Sequence, residues 1–184
     1  MDRADPRPDD GDVEARARFE AVARELIEPL RRFLARRTDA ATADDVLGDT
    51  LLVCWRRYAD LPAEPLPFAY GVARLCLANA DRGARRQRRL AGRIATLDPP
   101  QELPEPVGDD RLAAALARLP DMDAEVLRLW AWEQLTAGEI ATVLDLTPNA
   151  ASIRLHRAKG RLRNLLRKID EAAGHEEPKG GGTA

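Results

Sequence analysis

Apolar residues recur at three- and four-residue steps through most of the chain, and no stretch alternates with period two, so the pattern predicts helices and no strands. From Val13 to about Thr38 the stripe is Phe19, Val22, Leu26, Leu30, Phe33 and Leu34. Pro29 falls inside this run and is expected to kink or divide the helix, because it has no N–H and crowds the carbonyl four residues back. A second helix is predicted from about Ala43 to Tyr58, with Val46, Leu47, Thr50, Leu51, Cys54, Trp55 and Tyr58 as a broad apolar face. Asp44, Asp45 and Asp49 lie toward its N-terminal end, where the macrodipole favours acids. The Pro-rich stretch 61–67 breaks the pattern, and a third helix is predicted from about Phe68 into the basic run 82–89.

Composition then changes. Residues 95–108 hold Pro99, Pro100, Pro104 and Pro106 with Asp98, Glu102 and Glu105. They read as a flexible acidic linker that could extend over roughly 45 Å at about 3.1 Å per residue. Four shorter helical segments follow, near 109–118, 121–133, 137–144 and 148–169. The expected fold class is all-α: two small helical domains, 13–94 and 109–169, joined by that linker and flanked by disordered tails at 1–12 and 170–184.

Net charge is only −2 over 184 residues, so bulk charge does not point to nucleic acid; its distribution does. Cys54 and Cys76 lack metal-ligand spacing and read as small core residues. With His156 and His175 the only histidines, a histidine metal site is not expected. No phosphate-binding glycine loop, nucleophile elbow or carboxylate pair stands out, so neither an enzyme nor a cofactor is expected. The acidic start and the absence of a long apolar run predict no signal peptide, no membrane span and a cytoplasmic location.

The second domain carries the sharpest local signal. Thr136 and Glu139 have the spacing of a capping box, and Ile140, Ala141 and Leu144 supply a short apolar face. Asp145 and Leu146 make a turn, and Thr147 with Pro148 restarts a helix as N-cap and first helical residue. That is the outline of a helix-turn-helix. In its second helix Ala151, Leu155, Ala158, Leu162, Leu165 and Ile169 form the stripe to be buried. Asn149, Ser152, Ile153, His156 and Arg157 fall opposite, able to meet base edges, while Arg154, Lys159, Arg161 and Arg163 flank them and are expected to meet phosphates.

In the first domain Arg74, Arg82, Arg85, Arg86, Arg88, Arg89 and Arg93 stand against a single Asp81, a local footprint for phosphates. Phe68 and Tyr70 at the start of the same helix could stack on unpaired bases, or could both be core.

These residues resemble a known family. The runs 43–57, 67–74 and 135–159, in that order and with an acidic linker between them, are similar to extracytoplasmic-function (ECF) sigma factors, the smallest members of the sigma-70 family. The resemblance covers about residues 15–90 and 109–168. It implies binding to core RNA polymerase and recognition of promoter DNA. By position, Asp44, Asp45, Asp49, Leu52, Trp55 and Arg56 would dock on the beta-prime clamp helices. The 59–67 loop with Phe68 and Tyr70 would capture a flipped base of the −10 element, and Arg74, Asn79, Arg82, Arg85 and Arg86 would follow the strand. Asn149, Ser152, Ile153, Arg154, His156, Arg157 and Lys159 would read the −35 element. The resemblance also implies contact with the beta flap, an anti-sigma partner, and a linker threaded through the RNA exit path. Four positions depart from the family pattern: Gly48 for Gln, Phe68 for Trp, Leu75 for Asn and Asp145 for Gly. A helix-turn-helix regulator acting without polymerase is the competing reading; it leaves the acidic–apolar and basic–aromatic helices of the first domain unexplained.

Overall fold

The computed structural model describes residues 10–91 and 110–173. Among them are seven α-helices and one short 3₁₀ turn, with no strand. None of the described helices is long and apolar enough to cross a membrane. The chain divides into two compact units, 1–104 and 105–184. The proline-rich segment 95–108 lies outside the described residues, as do 1–9 and 174–184 of the tails expected at 1–12 and 170–184; residues 10–12 belong to the first helix and 170–173 to the last.

The first unit is built from α1 (Asp10–Ala35), α2 (Ala40–Arg56), the 3₁₀ turn (Tyr58–Asp60) and α3 (Pro65–Ala91). Its core is Leu26, Leu30, Phe33 and Leu34 from α1, Val46, Leu47, Thr50 and Cys54 from α2, and Ala69, Tyr70 and Ala73 from α3. Pro29 does not divide α1, which runs unbroken across it. The apolar residues on both sides, Leu26 and Leu30, are fully buried. That burial holds the helix together where one backbone hydrogen bond is missing.

α2 starts three residues earlier than its apolar pattern suggests. Asp39 is its N-cap and accepts from the Thr42 amide (3.0 Å) and the Thr42 hydroxyl (2.7 Å). These bonds hold the Asp39 carboxyl below the ordinary carboxylate range, the Thr42 amide contributing most. No acid occupies the first turn. Asp44, Asp45 and Asp49 therefore lie beyond the reach of the macrodipole, which fades within that turn, and the expectation that it favours them is corrected. Inside the helix the Thr50 hydroxyl donates to the Val46 carbonyl (2.7 Å), which lets a polar residue sit in the core without an unmet bond. α3 begins at Pro65 rather than Phe68. Prolines at 65 and 67 fall in the first turn, where an amide has no helical partner to lose.

The second unit comprises α4 (Asp110–Ala117), α5 (Asp121–Ala131), α6 (Ala137–Leu144) and α7 (Pro148–Ala173). Val126, Leu127 and Leu129 of α5, Ile140, Ala141, Val143 and Leu144 of α6, and Ala151, Leu155 and Ala158 of α7 form its centre, with Ala115, Leu119 and Leu135 beside them. Arg111 of α4 pairs with Asp170 near the end of α7 at 3.1 Å. α7 continues to Ala173, past the end near 169 that the stripe indicates.

Candidate nucleic-acid interface

The α6–turn–α7 junction is fixed by local chemistry at each step. Thr136 and Glu139 cap α6 reciprocally: the Glu139 amide donates to the Thr136 hydroxyl oxygen (3.3 Å), and the Thr136 amide and hydroxyl donate to the Glu139 carboxylate (2.7 and 2.6 Å). The Thr136 hydroxyl, then its amide, draws the Glu139 carboxyl below its ordinary range. Asp145 ends α6 in the left-handed region (φ 54°, ψ 50°), a conformation Asp tolerates better than most residues. The Leu146 amide then donates to the Ala141 carbonyl (2.9 Å). Thr147 caps α7 by accepting from the Ala150 amide (3.2 Å).

This junction presents Asn149, Ser152, Ile153, His156 and Arg157 on one exposed side of α7, Ile153 retaining 44% of its surface. An exposed isoleucine between polar side chains fits a thymine methyl better than it fits water.

The flanks of α7 differ from the expectation. Arg154 does not reach outward freely: its Nη1 donates to Oδ1 of Asp123 at 3.1 Å. Arg161 donates to Oδ2 of the same carboxylate. Asp123 is only 2% exposed, and a buried carboxylate without cationic partners would be costly. On the other flank Lys159 sets its ammonium 3.4 Å from the centre of the Trp130 ring, a cation–π contact. Arg154 and Lys159, both expected to meet phosphates, are thus each engaged with α5. Neither Asp123 nor Trp130 is among the residues that the helical pattern marks for this face. The available signal is that Asp123 stands where an apolar residue belongs, three and four positions before buried Val126 and Leu127.

In the first unit α2 exposes Asp44, Asp45, Asp49, Leu52, Trp55 and Arg56 together. At the middle of this face is Gly48, where an added methyl would meet nothing within 4 Å. Trp55 is not a core residue; it is 38% exposed and leans on Phe19 and Tyr58.

The two aromatics of α3 separate. Tyr70 is 3% exposed and packs against Phe33 with ring centroids 4.9 Å apart, so its assignment as a base-stacking residue is corrected. Phe68 is half-buried. Arg74 is half-buried as well, and its Nε has no hydrogen-bond partner among the described residues. Asn79, Arg82, Arg85, Arg86 and Arg88 are exposed, with Arg82 donating to Oδ1 of the Asn79 side chain. The side chain of Arg89 and the whole of Arg93 lie outside the described residues.

The cysteines face each other's helices. Burial pushes the Cys54 thiol up to about 11, with Cys76 adding to it. Burial raises Cys76 too, against a hydrogen bond with Thr50. Among the described residues no cluster of His, Cys, Asp and Glu could hold a metal ion.

One helical unit carries a basic face and the other a capped helix-turn-helix, the features of a DNA-binding protein. Residues 109–162 match the family model "Sigma-70, region 4". The chain is 30% identical over 148 residues to the ECF RNA polymerase sigma factor SigL of Mycobacterium tuberculosis, covering 76% of this chain and 84% of that protein. It is 32% identical over 158 residues to the probable RNA polymerase sigma factor RfaY of Xanthomonas campestris pv. campestris; there it covers 79% of this chain but spans only 39% of the relative. Among solved structures, the sigma factor RpoE in complex with the anti-sigma factor NepR from Bartonella quintana shares the fold, with TM-score 0.58, 18% identity, and 82% and 97% of the two chains covered. CnrH in complex with the cytosolic domain of CnrY does so at TM-score 0.56, 22% identity, and 85% and 94% coverage. The chain belongs to the ECF RNA polymerase sigma factors.

Proposed function

We propose that this chain carries core RNA polymerase to a particular set of promoters and initiates transcription there, with no catalysis of its own. The observation that carries the reading is the capped α6–α7 junction, which presents Asn149, Ser152, Ile153, His156 and Arg157 on one exposed face. A recognition helix enters the major groove with such a face at its N-terminal end. In this reading the domain 109–169 reads the −35 element. The domain 13–94 docks on the beta-prime clamp helices through Asp44, Asp45, Asp49, Leu52, Trp55 and Arg56. Phe68 meets the melted −10 element, and Arg74, Asn79, Arg82, Arg85 and Arg86 follow the strand. The segment 95–108 lies along the RNA exit path, and the second domain touches the beta flap.

An anti-sigma partner fits the same reading. The two solved relatives above were each captured with another protein, one of them named as an anti-sigma factor. The place of action is the cytoplasm, where polymerase and chromosome are.

Run-off transcription with purified core polymerase tests the proposal. Promoter-specific transcripts should require both core and this protein. DNA binding without any such transcript would instead favour a regulator that acts without polymerase.

A further inference from the structure

α5 grips α7 from both sides. Arg154 and Arg161 are seven residues apart, so they lie within about 20° of one another around α7, and both end on the two oxygens of Asp123. Lys159 lies on the other side of the buried Ala151–Leu155–Ala158 stripe, on the order of 140° round the helix from Arg154, and rests on Trp130. Asp123 and Trp130 belong to opposite ends of α5. Three cations that border the reading face are therefore tied to α5 by their charged ends, although Arg154 and Arg161 keep 42% and 55% of their side-chain surface open.

We propose that Asp123 is a specificity-determining, positioning residue that withholds Arg154 and Arg161 from DNA phosphates. Phosphate contacts add affinity for any sequence, whereas base contacts discriminate. Each neutralised phosphate steepens the fall of log K with log salt by about 0.9. Holding two guanidiniums on a buried carboxylate removes sequence-blind affinity and leaves the choice of site to Ser152, Ile153, His156 and their neighbours. Neutralising the carboxylate releases both arginines at once. The inference rests on the proposed DNA-binding role of α7.

The test is binding of the full-length chain to a promoter duplex and to a scrambled duplex across a salt series. Asp123→Asn should bind the scrambled duplex more tightly, with a slope steeper by up to about 1.8, and should discriminate less between the duplexes. Asp121→Asn makes the same charge change at an exposed site on the same turn and should leave the slope unaltered. Arg154→Gln, which leaves Arg161 on the carboxylate, should also leave it unaltered. A slope unchanged or shallower in folded Asp123→Asn overturns the proposal, as does equal steepening in Asp121→Asn. If Asp123→Asn does not fold, Arg154→Gln decides alone: a slope lower by about 0.9 means that Arg154 already meets a phosphate and the proposal fails. Absence of salt-dependent duplex binding by the unaltered chain removes the DNA-binding role of α7 itself, and the inference with it.

Discussion

Trp55 leans against Phe19 with ring centroids 5.2 Å apart and planes inclined at 60°. One ring thus ties α2 to α1 while 38% of its residue surface stays open to solvent. Leu52, one turn earlier, is 45% exposed and shares the outward side without belonging to the aromatic cluster. The pair separates two roles. Leu52→Ala should weaken association with core polymerase and leave thermal stability nearly unchanged. Trp55→Ala should do both, losing an aromatic contact worth about 0.5–1.5 kcal/mol beyond its buried area. Pull-down with core polymerase and thermal melting of each variant check this.

Charge reversal at Asp45 and Asp49 together should reduce core association at matched helicity. Both are exposed, and neither caps the helix, so the fold has little to lose. Unchanged pull-down with folded protein would assign docking to another face.

Tyr70 and Phe68 should part company. Tyr70→Ala empties a site packed on fully buried Phe33 and should cost about 3–5 kcal/mol of stability, the usual range for losing a large buried aromatic. Phe68→Ala, at a half-buried position, should cost less and should impair promoter opening. Permanganate reactivity of −10 thymines reads the opening, and chemical denaturation reads the stability.

Ile153→Ala and His156→Ala should change or relax the preference in a randomised −35 library, each base contact being worth about 1–3 kcal/mol of discrimination. An identical preference profile for both variants would remove these residues from the reading face.

The Thr136–Glu139 capping box should give the second unit a pH dependence. The folded-state pKa of Glu139 is depressed, so its stabilisation is complete above the unfolded value of about 4.3 and disappears as pH falls through the lower folded value. Glu139→Gln should flatten the decline in melting temperature between about pH 6 and about pH 3 relative to the unaltered chain. Thr136→Ala should cost about 1 kcal/mol at neutral pH.

The helix-turn-helix is legible in the sequence because every one of its boundaries is written within a few residues: Thr136 with Glu139, then Asp145, then Thr147 with Pro148. The clamp at Asp123 leaves only the signal of an acid at an apolar position, since its partners lie 31 and 38 residues away and a first-turn Asp looks like any other helix start. The beginning of α2 is missed for a related reason: Asp39 caps from outside the apolar stripe, while Asp44 and Asp45 offer a more conspicuous but misplaced acidic signal. Tyr70 shows the limit of residue type, because its neighbourhood is set by Phe33 on another helix.

Gly48 bears on how the first unit comes together in time. A glycine midway along α2 costs that helix about 1 kcal/mol against alanine, and no neighbouring side chain occupies the space it leaves. The seventeen residues Ala40–Arg56 are then poorly suited to coil up alone, given the cost of nucleating a short helix. α2 is expected to become ordered as Val46, Leu47, Thr50 and Cys54 find α1 and α3, not before. A peptide of this segment should show little helical circular dichroism. Gly48→Ala should slow unfolding of the intact chain more than it speeds refolding, the kinetic mark of a helix that forms after the rate-limiting step.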